Sequence, residues 1–227
     1  MTIANRLYAG FAFIILLLVA TTIIGTYQVD EINTTLTRVN DVGSEKQRYA
    51  INFRGSVRDR AIALRDLVLT ERESQRDEFR ALVDDLKADY ANAERGMAKI
   101  FSNPKYVNSQ EKQLIERIEE IQQQALATTV EVERLLANGQ RQQAQDYVLS
   151  DLSPAYAEWL NRINDFIDYE EASIAEGVDS VLERSNSFTA LMWIVTVLAI
   201  VAGAAVSFFI VQRLTRTIGG EPEDAVE

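Results

Sequence analysis

Apolar positions recur at alternating intervals of three and four from Val29 onward: Val29, Ile32, Leu36, Val39, Gly43, Lys46, Ala50, Phe53, Val57, Arg60, Leu64, Leu67. Spacing of this kind, kept for more than five heptads, marks the buried seam of a helix packed into a bundle. No proline or glycine pair interrupts Leu7 to Thr70, so one helical rod is predicted there. A second helix is predicted from Ser74 to Ile100, with Phe79, Leu82, Val83, Leu86, Tyr90 and Met97 inward, and Ser102-Asn103-Pro104 ends it. The third begins with Ser109 as N-cap and carries Leu114, Ile118, Ile121, Ala125, Thr128, Val132 and Leu135 to the stop at Asn138-Gly139. Residues 140–150 add a short helix, and Ser153-Pro154 reads as an N-cap with proline at the first helical position. The fourth helix places Tyr156, Leu160, Ile163, Ile167, Ile174, Val178 and Val181 on one side. The predicted class is all-α: an antiparallel up-down-up-down four-helix bundle extended by two transmembrane helices.

At each end the 3-4 pattern gives way to an uncharged run, Leu7 to Ile24 and Ser187 to Val211. Either can span about 30 Å of hydrocarbon as a helix. Arg6 precedes the first run and Arg213 and Arg216 follow the second, which puts both ends on the cytoplasmic side. The first run also fits a cleaved signal peptide, but its length and the lack of a small-x-small site before Asp30 favour an anchor. The expected organisation is a cytoplasmic N-terminus (1–6), a first transmembrane helix (7–27), an extracytoplasmic bundle (28–187), a second transmembrane helix (188–211) and a cytoplasmic exit segment (212–227).

Composition narrows the chemistry. The 227 residues carry a formal charge of −11, so nucleic acid is not an expected partner. The segment 28–187 holds 20 Lys and Arg against 30 Asp and Glu and reads as a soluble acidic domain outside the membrane. Histidine and cysteine are both absent, which removes disulfides, thiol catalysis, His-bound zinc, His-ligated haem and the Ser-His-Asp triad. No phosphate loop, metal constellation or paired catalytic carboxylates stand out, so neither an enzyme nor a cofactor is expected.

Directly after the second apolar run, Arg213-Leu214-Thr215-Arg216-Thr217-Ile218 meets Gly219-Gly220-Glu221-Pro222, a glycine break followed by a proline restart. This segment resembles the start of a HAMP linker in bacterial methyl-accepting chemotaxis receptors. The stretch Ile51-Asn52-Phe53-Arg54-Gly55-Ser56-Val57-Arg58-Asp59-Arg60-Ala61-Ile62-Ala63-Leu64-Arg65-Asp66 resembles the first helix of their four-helix-bundle sensors. The resemblance implies a homodimer in the bacterial inner membrane, with a periplasmic sensory domain, a small acidic ligand (organic acid or amino acid) and a cytoplasmic chemotaxis kinase complex. That complex would be reached through a C-terminal part beyond Glu227. The input module of a histidine kinase or cyclase, and a ligand-free structural bundle, are the alternatives.

Four arginines crowd the first helix. At 100° per residue, Arg54, Arg58 and Arg65 share one stripe with Ile51 and Ile62, whereas Arg60 lies in the bundle seam about 140° from Arg65. A helix with two semi-apolar faces meets two partners, and a second copy supplies the other; Gly43 and Gly55 leave little side chain between backbones there. Guanidinium groups hold carboxylates by paired hydrogen bonds. Asp59 and Asp66, and Asp165, Asp168, Glu170 and Glu171 on the fourth helix, offer ion pairing as the competing role. In aspartate-type receptors arginines recur at i, i+5 and i+9 on this helix; by resemblance Arg60 and Arg65 match the first two, and Leu69 stands third. Arg60 and Arg65 could meet one ligand only from different subunits. Thr128, Thr129, Tyr156, Trp159 and Arg162 lie level with Arg60; Thr128, Thr129 and Trp159 complete the candidate site, although Trp159 at 3-4 spacing reads as core more readily than as a ligand platform. Lys46 in the seam is expected to pair or to snorkel.

Overall fold

The computed structural model describes residues 3–218, and among them every regular element is helical. Helix α1 (Ile3–Leu36) passes through a π-helical turn (Thr37–Gly43) into α2 (Ser44–Leu69); α3 (Glu73–Phe101) and α4 (Ser109–Ala137) follow. The short α5 (Arg141–Tyr147) enters a second π-helical turn (Val148–Leu152) and continues as α6 (Ser153–Ile218). The chain forms two compact units, Leu36–Val178 and the two ends together.

In the unit built from the ends, the apolar stretches run antiparallel. A Cβ added at Gly10 would lie 2.9 Å from Val206, Gly25 faces Phe188, and Arg184 Nη1 pairs with Glu31 Oε1 at 3.2 Å. Two helices, Tyr8–Leu69 and Arg141–Gln212, are long and apolar enough to cross a membrane, and their most apolar windows are not buried by protein. The Gly219-Gly220-Glu221-Pro222 turn lies outside the described residues.

In the other unit the expected seam is observed from Val39 onward, whereas its first positions are not buried: Val29 and Leu36 are exposed. Val39, Gly43, Lys46, Ala50, Phe53, Val57, Arg60, Leu64 and Leu67 are all buried. Trp159, Tyr156, Phe166, Ile118 and Ile163 complete the core from α4 and α6. Leu82, expected inside, is 43 % exposed, and Val83, Tyr90 and Met97 carry the α3 contact. Gly43 serves packing inside the protomer, because an added Cβ would lie 3.0 Å from Ile174. That explains its small size without a second copy.

Three local features depart from the sequence reading. Helix α4 is capped by Asn108 rather than Ser109: Asn108 Oδ1 accepts from the Glu111 N–H and Glu111 Oε2 accepts from the Asn108 N–H, both at 2.9 Å, a reciprocal capping box. Ser153-Pro154 opens α6 without a free N-cap, because the helix runs on directly from the π-helical turn before it. Proline lacks the N–H that would continue an α-helical ladder, and the π turn absorbs the defect, with the Ser153 N–H reaching the Val148 carbonyl. At the opposite end of α2, Arg141 caps the helix from a distance, donating from Nε to the Val68 carbonyl at 3.0 Å and from Nη2 to those of Leu69 and Thr70.

Candidate functional site

A bundle built on heptads stacks core residues in levels, and at the level of Arg60 the residues from α3 and α6 are aromatic. Arg60 is 2 % exposed. Its guanidinium carbon lies 4.9 Å from the ring centre of Trp159, 5.7 Å from Tyr156 and 5.8 Å from Tyr90. The rings hold one another edge-on: Tyr90 to Trp159 at 5.2 Å and Tyr156 to Trp159 at 5.6 Å, with Phe53 stacked on Tyr90 at 4.6 Å. Helix α4 fixes both phenols. The Tyr90 hydroxyl donates to Gln122 Oε1 at 2.9 Å, and the Tyr156 hydroxyl shares a 2.8 Å hydrogen bond with Thr129 Oγ1.

This cage leaves charge and donors uncompensated. Arg60 Nε and Nη2 are buried without a hydrogen-bond partner, and so is Trp159 Nε1. No carboxylate pairs with Arg60 among the described residues. The phenols cannot serve as counterions, because burial pushes both hydroxyls up and keeps them protonated. The Trp159 indole N–H is close enough to the Tyr90 hydroxyl to offset part of that rise, without reaching hydrogen-bond geometry. Aromatic faces supply only about 0.5–2 kcal/mol each to a cation, whereas a buried ion costs several kcal/mol. A carboxylate would satisfy the two free guanidinium donors and the charge together.

The other candidates lie elsewhere. Arg58 pairs with Asp59 at 2.9 Å and Arg65 with Asp66 at 3.3 Å, each with its side chain more than half exposed. Arg54 is exposed as well, on the stripe with Ile51 and Ile62. Thr128 turns its hydroxyl to the Ala125 carbonyl at 2.8 Å. Of the seven expected site residues, the structure gathers Arg60, Thr129 and Trp159 and leaves Arg54, Arg58, Arg65 and Thr128 outside the cage. Tyr156, expected at the level of Arg60, belongs to it; Tyr90 and Gln122 also belong to it and were not singled out from sequence, since an aromatic at a seam position reads as core. The signal that could have found them is a cation in the same seam.

A second buried polar group sits at the level of Lys46. Lys46 Nζ lies 2.9 Å from Glu111 Oε1 and 3.8 Å from Glu170 Oε1, with all three side chains nearly inaccessible. Asn108 ties this cluster to α6 by donating to the Tyr169 hydroxyl at 2.9 Å. One cation faces two carboxylates, and burial raises the Glu170 carboxyl to about 8 despite Lys46. Glu170 is therefore the protonated member at neutral pH. Among the described residues no trio of acids converges as a metal site requires.

Comparison with known proteins agrees with this architecture. No curated protein matches the chain. A family model described as a four helix bundle sensory module for signal transduction matches residues 1–179. Helical bundle, membrane-capable helices and matched residues together place this chain in the family of four-helix-bundle sensory modules of chemoreceptor signal transduction.

Proposed function

We propose that the chain is the sensory half of a transmembrane chemoreceptor that recognises a small carboxylate through Arg60. The carrying observation is the buried guanidinium with two free donors and no counterion among the described residues. The cage is closed, with Trp159, Tyr156 and Tyr90 each at most 4 % exposed. A carboxylate reaches Arg60 only if a ring moves, and the rings are carried by α3 (Tyr90) and α6 (Tyr156 and Trp159). Binding then selects one of two helix arrangements through its differential affinity, which is the physical requirement for a signal. Helix α6 carries both Tyr156 and Trp159 and runs on through the second apolar stretch.

In this reading residues 28–187 are periplasmic, 7–27 and 188–211 cross the inner membrane, and 212–227 begin a HAMP linker to a cytoplasmic chemotaxis kinase complex. The protein works as a homodimer through the exposed arginine stripe of α2. Arg60 acts inside its own protomer, and Arg54, Arg58 and Arg65 act at the surface. A thermal-shift screen of the full chain in detergent tests the ligand. Organic acids or amino acids with a free carboxylate should raise the unfolding temperature, their amides should not, and silence across the acids would leave the ligand-free bundle as the better reading.

A further inference from the structure

A partly open cleft of about 330 Å³ lies between α2, α3 and α4, on the far side of Tyr90 from Arg60. Its wall is apolar: Phe53, Tyr90, Met97, Phe101, Ile115 and Ile118. At its rim stand Glu94 and Glu119, with Gln122 accepting from Tyr90 at 2.9 Å and donating to Glu94 Oε1 at 3.5 Å. Neither glutamate is paired with Lys or Arg among the described residues. The Glu119 carboxyl is raised first by burial and then by Glu94 and Glu116.

An apolar cleft under an unneutralised acidic rim has one complementary occupant. We propose that this cleft takes a small organic cation, an ammonium group on an aromatic or aliphatic body, as a second ligand class distinct from the acid at Arg60. The body packs against Phe53, Tyr90 and Phe101, and the ammonium faces Glu94 and Glu119, where aromatic faces add to the carboxylate attraction. The volume holds on the order of ten non-hydrogen atoms at the packing density of protein interiors. A carboxylate would meet repulsion at the same rim, so the two ligand classes do not compete for one place. Tyr90 is a wall of the cleft and also lies over Arg60, which gives the amine a route to the same helix contacts.

Calorimetric titration of the full chain in detergent with 2-phenylethylammonium tests this directly, with 2-phenylethanol as neutral isostere and phenylacetate as anion. The amine should bind about tenfold tighter than the alcohol, the scale of two partly exposed charge contacts. The double variant Glu94→Gln, Glu119→Gln should remove that preference, and Ala98→Trp, at an exposed position lining the mouth, should abolish amine binding. Melting curves of both variants establish that they are folded, and the two glutamines alone suffice if the tryptophan is not tolerated. Equal binding of amine and alcohol, unchanged preference in the double variant, or no amine binding would overturn the proposal. Phenylacetate reports on Arg60 separately, so failure of either reading leaves the other intact.

Discussion

Replacing Glu170 by glutamine should abolish most of the pH dependence of stability between pH 5.5 and 8. Glu170 is 1 % exposed, and Lys46, which faces it, is engaged more closely by Glu111. Its folded value of about 8 exceeds the 4.5 of the free side chain. A group raised in the folded state contributes stability that is fully present below the unfolded value and is lost as pH rises through the folded one. The stability lost as pH rises between the two values is on the order of a few kcal/mol. The assignment is unusually clean because the chain has no histidine and no cysteine. Glu119, raised more by burial than by its acidic neighbours, adds a smaller slope of the same sign. The assay is the urea midpoint followed by Trp159 fluorescence in a Trp193→Phe background, at pH 5.5, 6.5, 7.5 and 8.5. Wild type should weaken steadily with pH while Glu170→Gln stays nearly level. A flat wild-type profile, or a variant as steep as wild type, would refute the buried, protonated carboxyl.

Arg141→Met should lower the unfolding free energy by about 1.5–3 kcal/mol, because three carbonyls at the end of α2 lose a charged donor; an unchanged urea curve would show that water replaces it. Cysteine at Ile51 or Ile62, which are 41 % and 42 % exposed beside the arginine stripe, should crosslink between subunits on mild oxidation. Efficient crosslinking only from α3 or α4 would place the dimer elsewhere. Protease added to spheroplasts should cut the loop 103–109 if the bundle faces outward, and protection of that loop would reverse the topology.

The seam of α2 was legible because heptad spacing is a property of the chain itself: every position from Val39 to Leu67 in the series is buried. The ends of elements were less so. Asn108 and Ser109 are both competent N-caps, and the choice turns on Glu111 standing three residues after Asn108. Pro154 looked like a free helix start because the compensating π turn is an arrangement of the five residues before it and has no composition of its own. Arg60 was legible as a seam cation, and Tyr156 and Trp159 of α6 were legible at its level; Tyr90 of α3 was not, since no local pattern reports which α3 ring meets it. The long-range cap by Arg141 was hidden for the same reason, since its acceptors lie more than 70 residues away.

Arg60→Met offers the most direct measurement, with the dissociation constant of the best carboxylate from the screen and the unfolding midpoint taken on the same samples. Methionine keeps the apolar stem and removes an uncompensated buried charge, so stability should hold or rise. Affinity should fall roughly tenfold to a hundredfold, the scale of a charge-assisted hydrogen bond. An unchanged dissociation constant with a lowered midpoint would make Arg60 a strut of the bundle and contradict carboxylate recognition in the cage.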